Sequence, residues 1–488
     1  MSLFDLLLGA PLAACVMMGF VGHIQRVAAT LNVAASAVTM AAAFGLAGRV
    51  LEQGPLTAYD RFFFLDAYNV FLVSLTAFVA TTTAIFSGPY MSHEQRIGRA
   101  PSRRLRLYHA MYQLFVFAML LGLTTNNLGI LWIALELATL ATVLLVSLYR
   151  TPAAISAAWK YFILCGVGIA LALFGTILVF ATSSDALGHG NAALTWTLLH
   201  ENAGRLDPGV MTIAFLFLMV GYGTKVGLVP MHTWLPDAHG EGPTPISAVL
   251  SGLLLNVALY ALVRCKTLVD GATQTDLAGN LMIGFGLLSL LVSSLALHRQ
   301  RDVKRLFSFS SIEHMGLMTF AFGIGAPLAN FAGLLHMTVH SLVKSGIFFT
   351  VGHAAQAMGT QRMINIRGLI RHHPGIGWGL MVGTVAIAGF PPFAVFTSEF
   401  LLFTAALHTH PWTVGLLLPG LALAFAGLLR HVQPMVFGVP PEQANTVRVN
   451  MAPVYIHFGL ALWLGLAIPA PLANWYETAA ELLSGAGR

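Results

Sequence analysis

Long apolar segments, separated by short polar or charged stretches, repeat along the whole chain. None of them alternates apolar and polar residues with the period of two that a membrane β-strand shows, so we predict helices throughout. A helix needs about 20 apolar residues to cross the hydrocarbon core of a bilayer. The segments that satisfy this length lie near residues 4–22, 27–48, 67–91, 108–126, 129–149, 158–182, 209–234, 244–263, 277–297, 306–324, 329–356, 376–407, 412–429 and 451–468. The pattern predicts an all-α polytopic membrane protein with about 14 transmembrane helices.

Two of these segments contain prolines that should interrupt the helix. Segment seven has Pro230 and Pro236, and segment twelve has Pro391 and Pro392. Proline lacks a backbone donor and collides with the preceding turn, so we predict that helices 7 and 12 are broken. Because the breaks are five segments apart, they suggest two five-helix repeats, helices 4–8 and 9–13, with the second inverted relative to the first. The alternative is that the prolines only kink two unrelated helices.

This interpretation divides the chain into four parts. Residues 1–107 form helices 1–3, residues 108–265 the first repeat, residues 266–430 the second repeat, and residues 431–488 helix 14 with a short tail. In transporters, broken helices of two inverted repeats form an ion site near the middle of the bilayer. A functional site is therefore expected beside the two breaks.

The composition excludes a soluble globular domain. Hydrophobic residues make up 57% of the 488 residues, charged residues make up 9%, and the mean hydropathy is +0.77, whereas soluble domains carry about 25% charged residues. Cys15, Cys165 and Cys265 are isolated in the sequence, which argues against an iron–sulfur or structural zinc site. The net charge of +6 comes from basic residues spread between apolar segments, so it does not indicate nucleic-acid binding.

The distribution of Lys and Arg predicts the orientation in the membrane. When the N-terminus is placed outside, 17 of the 25 basic residues fall in loops on the inner side and 6 on the outer side, while Lys225 and Lys344 lie inside apolar segments. Cytoplasmic loops carry the excess of Lys and Arg. We therefore expect a multi-pass protein of the bacterial inner membrane with both termini outside, in the periplasm.

Four charged residues lie well inside apolar segments, namely Glu136, Lys225, Lys344 and Glu399. A charge near the bilayer centre costs at least ~2.5–3.5 kcal/mol on insertion scales, so such residues usually face the bundle interior and have a function. Glu313 is a fifth candidate, but it lies two turns beyond a basic loop and is expected nearer the membrane surface. A structural ion pair is the alternative for each of them.

Three residues of the eleventh segment, His336, His340 and Lys344, are spaced four apart and share one helical face. Histidine exchanges a proton near neutral pH, and burial disfavours the charged form of lysine, so this face suits a proton relay. Two alternatives stay open. The histidines could bind a metal or haem, although no Asp, Glu or Cys on that face supplies a third ligand. They could also be ordinary buried histidines.

Several motifs resemble the antiporter-like subunits shared by respiratory complex I (NADH:quinone oxidoreductase) and the Mrp cation/proton antiporters. The matching stretches are GYGTKVGLVPMHTWLPDAH at 221–239, EGPTPISA at 241–248, DVKRLFSFSSI at 302–312, HMTVHSLVK at 336–344, GFPP at 389–392 and SEF at 398–400. Within that family, the chain is similar to the component F subgroup of hydrogenase-4 and formate-hydrogenlyase-type complexes. The residues that carry this likeness are YHAMYQL at 108–114, WKYFILCG at 159–166 and SIEHMG at 311–316.

The resemblance implies a proton path through the middle of the membrane. Glu136 and Lys225 match the fifth-helix glutamate and the seventh-helix lysine that form the first site, and Glu399 matches the terminal carboxylate of the twelfth helix. The residues that match the central hydrophilic axis are His336, His340 and Lys344. Further candidates in the same segments are Asn256, Glu313, His232, Asp237 and Lys304.

The sequence departs from the family pattern in two places. Asn256 stands where many relatives have Lys or His, and an amide is not protonated at neutral pH, so water would have to bridge the path there. After the last span only a short tail, 469–488, remains, and we expect no long horizontal helix.

The function implied by the resemblance is a proton-translocating membrane subunit of a hydrogenase-4-like or complex I-like complex. The chain would hold no redox centre, cofactor or metal, and the [NiFe] and iron–sulfur centres would lie on partner subunits. The expected partners are other antiporter-like and quinone-module-like membrane subunits and a cytoplasmic hydrogenase-like or dehydrogenase-like arm. The alternatives are a Na⁺(cation)/proton antiporter subunit of Mrp type and a passive membrane scaffold for a soluble oxidoreductase arm.

Overall fold

The computed structural model describes residues 2–439 and 449–484, and these residues are almost entirely helical. The helices are α1 (Leu3–Val21), α2 (Gln25–Gln53), α3 (Ala67–Arg96), α4 (Ser102–Thr124), α5 (Leu128–Val146), α6 (Pro152–Leu187), α7 (Trp196–Glu201), α8 (Pro208–Val226), α9 (Trp234–Glu241), α10 (Thr244–Val249), α11 (Leu255–Thr273), α12 (Leu277–Leu297), α13 (Val303–Ile324), α14 (Pro327–Met358), α15 (Leu369–His372), α16 (Pro374–Ile387), α17 (Ala394–Thr409), α18 (Pro411–Phe437), α19 (Ala452–Leu466) and α20 (Ala470–Ser484). The two strands are β1 (Leu56–Ala58) and β2 (Phe63–Leu65).

Each of the predicted apolar segments falls on one of these helices or on a broken pair of helices, so the predicted all-α membrane fold is confirmed. Within the described residues, eleven continuous or nearly continuous helices are long and apolar enough to cross a bilayer, and α19 with α20 adds a twelfth if that pair, bent by 81°, is one span. Two predicted segments fall short of that measure. Helix α13 carries Lys304, Arg305 and Glu313, while α16 and α17 are the two short halves of a broken helix.

The elements that were not predicted include a hairpin and the last helix. Strands β1 and β2 form an antiparallel hairpin between α2 and α3, with Leu56 opposite Leu65, and three residues per strand are too few for an alternating pattern to be recognised. Helix α20 lies where the sequence predicted only a short tail. Its Trp475 donates a 2.8 Å hydrogen bond to the carbonyl of Ala67, and its Tyr476 shares a 2.5 Å hydrogen bond with Thr338 of α14. The tail is therefore a packed element of the bundle.

Both breaks predicted from proline are present. Helix α8 ends at Val226, where Gly227 takes a left-handed conformation with φ +83°, and the chain resumes helical structure fully at α9. Helix α16 ends at Ile387, and Gly389 with φ +69° lies in the gap before α17. Glycine has no β-carbon, so it adopts this conformation without the cost that other residues incur. The inverted relation of the two repeats stays a prediction.

The eighth predicted segment, which comprises α10 and α11, contains an interruption that the sequence did not indicate. Between α10 and α11 the chain forms a π-helical turn at Leu250–Leu254, and all five of its residues are buried. A π-turn shifts the hydrogen-bond pattern by one residue and frequently occurs at functional sites. Asn256 follows this turn directly.

The centre of the bundle is formed by three continuous spans. The apolar windows of α14 and of α10 with α11 are 100% buried, and that of α3 is 89% buried, whereas those of α1, α2 and α18 are 33% buried. Charges on α14 are therefore surrounded by protein, not by lipid. This position removes much of the cost of placing a charge in the membrane, because neighbouring polar groups replace water.

The predicted orientation is tested by cysteine labelling, although Arg448 and Arg488, which enter the charge count, lie outside the described residues. The loop between α3 and α4 holds Arg99, and Arg103 begins α4, so this end should be cytoplasmic. In a chain whose three native cysteines are replaced, Ser2→Cys should react with an impermeant maleimide added outside. Arg103→Cys should react only after permeabilisation. Labelling of position 103 in sealed cells would contradict the orientation.

Candidate functional site: a line of buried charges from α5 to α17

The predicted pair Glu136 and Lys225 meets between α5 and α8. Glu136 Oε2 lies 3.9 Å from Lys225 Nζ, and the lysine side chain is 0% exposed while the glutamate side chain is 22% exposed. Lys225 donates a hydrogen bond to the hydroxyl of Thr139, one turn from Glu136 on α5. Glu136 Oε2 has no hydrogen-bond partner among the described residues. The ammonium group is thus hydrogen-bonded to Thr139 and paired with Glu136 through charge alone.

The break between α8 and α9 positions Lys225. Lys225 is the penultimate residue of α8, and a cation near a helix C-terminus is favoured by the helix dipole. The indole N–H of Trp234, after the break, donates a 2.8 Å hydrogen bond to the carbonyl of Thr224. Trp234 also stacks on Tyr161 at 4.5 Å between ring centres, and the Tyr161 ring lies 5.9 Å from Lys225 Nζ. Aromatic packing across the break therefore holds the lysine in place.

Histidines from two helices meet in the centre of the bundle. His336 and His340 are buried on α14, as their spacing predicted, and His314 of α13 joins them. His314 Nδ1 lies 2.9 Å from His336 Nε2, and His336 Nδ1 lies 2.9 Å from Ser398 Oγ on α17. The ring centres of His314 and His340 are 5.6 Å apart. One imidazole thus connects α13, α14 and α17, and the direction of its hydrogen bonds depends on the tautomer.

A carboxylate and an ammonium group lie beside these histidines. Lys344 is fully buried, and its Nζ donates a 3.0 Å hydrogen bond to the carbonyl of Phe307 on α13. Glu313 is 2% exposed, because α13 packs between α12 and α14, which bury this turn inside the protein. Its depth relative to the membrane surface stays a prediction. The charge of Glu313 interacts with Lys344 and with Glu399.

Glu399 lies beside the break between α16 and α17, in the second turn of α17, and is 8% exposed. A β-carbon built on Gly389 would collide with the Glu399 carboxylate, so the backbone of the break packs directly on this side chain. Both breaks in the bundle therefore have a buried ionisable group beside them, Lys225 at the first and Glu399 at the second.

Asn256 contacts the central axis. Its Nδ2 donates a 2.8 Å hydrogen bond to Ser341 Oγ, next to His340 on α14, while its Oδ1 has no partner among the described residues. The side chain of Asn256 thus connects the π-helical turn between α10 and α11 to α14. It has one acceptor free toward the interior, as a bridging water would require.

The remaining predicted residues are placed differently from one another. Lys304 is buried and donates a 2.6 Å hydrogen bond to the carbonyl of Gly242. His232 is half-buried at the break between α8 and α9, with its ring against Phe309. Asp237 forms ion pairs of 2.7 Å with Lys160 and 2.9 Å with Arg305, partly exposed to the surroundings. The structure does not bring Asp237 into the line of buried charges.

Among the buried histidines that were not singled out from the sequence, two lie beside predicted site residues. His314 follows Glu313 directly, and an adjacent Glu–His pair inside an apolar segment was the signal available for it. His239 of α9 is 0% exposed, and its ring stacks on Phe348 at 4.9 Å. Neither ring nitrogen of His239 has a hydrogen-bond partner among the described residues, and its charged neighbours are Lys304 and Lys344. His239 thus has two lysines that were predicted, Lys304 and Lys344, as charged neighbours.

A third missed residue, Glu94, lies near the end of α3. It is 1% exposed, and its Oε1 accepts a 2.9 Å hydrogen bond from Gln356 of α14. Arg99 lies 3.9 Å from the other carboxylate oxygen. Glu94, Arg99 and Gln356 line a pocket of about 450 Å³. No feature of the sequence distinguished it, because Glu94 stands at the polar end of its segment.

The described residues hold no group of three or more His, Cys, Asp or Glu side chains placed to bind a metal ion. His314 and His336 instead share a hydrogen bond, and His336 continues it to Ser398. His340 contacts His314 through its ring, and neither of its ring nitrogens has a hydrogen-bond partner among the described residues. Imidazoles can both give and take a proton, so such a cluster suits proton exchange.

A membrane helix bundle with two broken helices, each beside a buried ionisable group, and with an ion pair inside the membrane, defines an antiporter-like membrane subunit. Residues 125–424 match the family model described as NADH:quinone oxidoreductase/Mrp antiporter, transmembrane, and the chain belongs to this family. The resemblance predicted from the motifs is confirmed.

The chain is similar to proteins of several respiratory and antiporter complexes. It is 49% identical over 422 residues to the hydrogenase-4 component F homolog of Methylacidiphilum infernorum, which covers 86% of this chain and 89% of that protein. Its fold is that of a chain of the membrane-bound sulfane sulfur reductase, an archaeal respiratory membrane complex, with a TM-score of 0.89, 22% identity and coverage of 98% and 97%. For a chain of the Mrp complex from Dietzia sp. the TM-score is 0.83, with 18% identity and coverage of 98% and 97%.

Proposed function

We propose that this chain moves protons across the membrane as an antiporter-like subunit of a hydrogenase-4-like or complex I-like complex. The observation that carries the proposal is the line of buried ionisable groups from Glu136 and Lys225, through the histidines and Lys344, to Glu399. Isolated charges are expensive inside a bilayer, so a series of them that runs from α5 to α17 supports charge transfer as the function.

The proposed proton path has a first proton-exchange site, a central relay and a terminal group. Glu136 and Lys225 form the first site, the histidines and Lys344 form the relay, and Glu399 is the terminal group. Among the described residues no hydrogen bond joins Lys225 directly to the residues of α14, so transfer between them requires water. Asn256, with its free acceptor oxygen, is positioned to hold such a water next to His340.

A second access to the relay is proposed on the face predicted to be cytoplasmic. The pocket beside Glu94 would open there. Glu94 is a charged neighbour of Lys304, and both Lys304 and Lys344 are charged neighbours of His239, which supports a route from the pocket to Lys344. Glu94 accepts hydrogen bonds through a carboxylate, and a lysine and a histidine follow, so each neighbouring group can exchange a proton. Protons would reach the central relay by this route without crossing the apolar helices around it.

The proposed partners follow from the class of complex. The relatives are named as components of respiratory and antiporter complexes, which supports association with other antiporter-like and quinone-module-like membrane subunits. A cytoplasmic arm with hydrogenase-like or dehydrogenase-like subunits would carry the [NiFe] and iron–sulfur centres. Genes for such subunits next to this one would support the proposal.

The test is proton uptake measured against electron flux in inverted membrane vesicles that contain the assembled complex. We expect uptake that persists in sodium-free buffer and collapses when a protonophore is added. Uptake that requires sodium would instead indicate a Na⁺/proton antiporter subunit. Normal electron flux without any proton uptake would mean that the chain is a passive scaffold, and the proposal would be wrong.

Glu399→Gln is expected to leave the protein inserted and the complex assembled, while proton uptake per electron falls by about tenfold or more, because an amide cannot replace a carboxylate in proton exchange. Glu52→Gln makes the same chemical change at an exposed position on α2 and should have no effect. Normal uptake in the Glu399 variant would remove this residue from the path.

A further inference from the structure

An arginine-rich pocket lies at one end of the bundle, outside the line of buried charges. The end of α1, the start of α4 and the connection from α5 to α6 enclose about 490 Å³ there. The basic residues that line it are Arg103, Arg104, Arg106 and Arg150. In the predicted orientation this pocket faces the cytoplasmic surface of the membrane.

None of these four arginines forms an ion pair with a carboxylate of the described residues. Arg104 donates hydrogen bonds of 3.1 Å from Nη1 to the carbonyls of Arg99 and Tyr149, which ties the start of α4 to the end of the α5 region. Arg103, Arg106 and Arg150 are exposed. The pocket therefore concentrates positive charge that the protein itself does not neutralise.

Arg150 belongs to two pockets at once. It also lines a groove of about 590 Å³ between α5 and α6, whose other lining residues are Leu140, Val143, Leu144, Ser147, Ile155, Ala158, Trp159 and Phe162. This groove is almost wholly apolar and runs along two membrane-spanning helices. Arg150 itself has a left-handed backbone with φ +54°, a strained conformation for a non-glycine residue. Such strain is typical of functional positions.

We propose that an anionic phospholipid binds here, with its phosphate headgroup in the arginine pocket and an acyl chain in the groove. The charge of the pocket is complementary to a phosphate, and Arg150 connects the charged part of the site to the apolar part. Basic pockets between transmembrane helices are a known mode of anionic-lipid recognition. The groove specifies a lipid over a free anion, since a soluble phosphate has no apolar tail to cover it.

The site is tested with the full-length chain purified in mild detergent, using native mass spectrometry after addition of phosphatidylglycerol or phosphatidylcholine. We expect phosphatidylglycerol to be retained and phosphatidylcholine to be lost. The combined variant Arg103→Gln, Arg106→Gln and Arg150→Gln should retain roughly tenfold less phosphatidylglycerol, because each arginine near the membrane surface attracts the anionic headgroup. These side chains are exposed, so the fold should not depend on them.

A matched control removes three exposed arginines elsewhere in the loops predicted to be cytoplasmic, with Arg299→Gln, Arg301→Gln and Arg371→Gln. It should retain phosphatidylglycerol as the unmodified chain does, and equal loss in both triple variants would mean non-specific attraction and overturn the proposal. Ser147→Phe should obstruct the groove and lower lipid retention, while leaving binding of inorganic phosphate unchanged.

Three further results would contradict the proposal. Unchanged lipid retention in Ser147→Phe would show that no acyl chain lies in the groove. Inorganic phosphate that displaces phosphatidylglycerol completely would show that the pocket binds only the anion. If the arginine variant kept its lipid, and the complex purified with this variant lacked a protein subunit, the surface would be a protein interface.

Discussion

Lys225→Ala and Glu136→Gln are each expected to lower proton uptake per electron by about tenfold or more, with the complex still assembled. Lys225 is buried on α8 and Glu136 is partly buried on α5, with their charged atoms 3.9 Å apart. In the mechanism that we propose, closing the pair would favour a protonated Lys225, and opening it would leave the lysine desolvated and unpaired, so that the proton would be released. The distance between the two side chains would then control transfer.

The structure explains why Glu136→Gln should still assemble. Removing one partner of a buried ion pair typically costs ~3–5 kcal/mol. Here Lys225 keeps its hydrogen bond to Thr139, and it can also become neutral, so much of that cost is avoided. The loss should therefore fall on proton transfer and not on stability.

A double-variant experiment decides whether Glu136 and Lys225 act as one unit. If they do, the variant that lacks both should be no worse than the more damaging single variant, because both changes remove the same element. Thr139→Val is a useful comparison, since it removes the hydroxyl acceptor of Lys225 but leaves Glu136 in place. Losses that simply add, or a Glu136→Gln variant with normal uptake, would show that the pair is structural.

Lys344→Met and Lys344→Arg are both expected to stop proton transfer, again by about tenfold or more. Methionine has a similar length but carries no proton that can be exchanged. Arginine keeps the positive charge but does not deprotonate in proteins, so it cannot release a proton to His340 or accept one back. Recovery of proton uptake in Lys344→Arg would show that only the charge is needed and that Lys344 is not a relay group.

The matched control for this central site is a histidine that is buried outside the line of charges. His457 of α19 is 0% exposed, and its ring bonds to Thr82 at 2.8 Å and to the carbonyl of Leu342 at 2.9 Å. His457→Gln should reduce stability without changing protons moved per electron. His336→Gln, in contrast, removes the imidazole that connects His314 with Ser398, and it should reduce coupling.

The sequence predicts the elements of this fold well, because each signal is local. Apolar length determines the spans, and the prolines near residues 230 and 391 determine where helices 7 and 12 break. Glu136, Lys225, Lys344 and Glu399 are identifiable without a structure, since a charge in an apolar segment is costly unless it faces the protein interior. The spacing of His336 and His340 correctly places both on one buried face of α14.

Pairing between helices is not encoded in such local signals, because it depends on how each helix is rotated and which neighbour it meets. His314 and His239 look like ordinary histidines until packing places one beside His336 and the other next to Phe348, with Lys304 and Lys344 as its charged neighbours. The surroundings of Glu313 and Asp237 also depend on packing. Neighbouring helices bury Glu313, whereas Asp237 forms ion pairs with Lys160 and Arg305 and stays outside the line of buried charges.

The sequence by itself determined three features of this protein: that it crosses the membrane many times, where two of its helices break, and which charged residues lie in membrane-spanning segments. Only the tertiary structure decided which of those charges meet, that the tail forms a helix packed on α3 and α14, and that four arginines converge on one pocket. The physical reason is range: hydrophobicity and proline act on neighbouring residues, whereas a site is made by side chains that approach from distant helices.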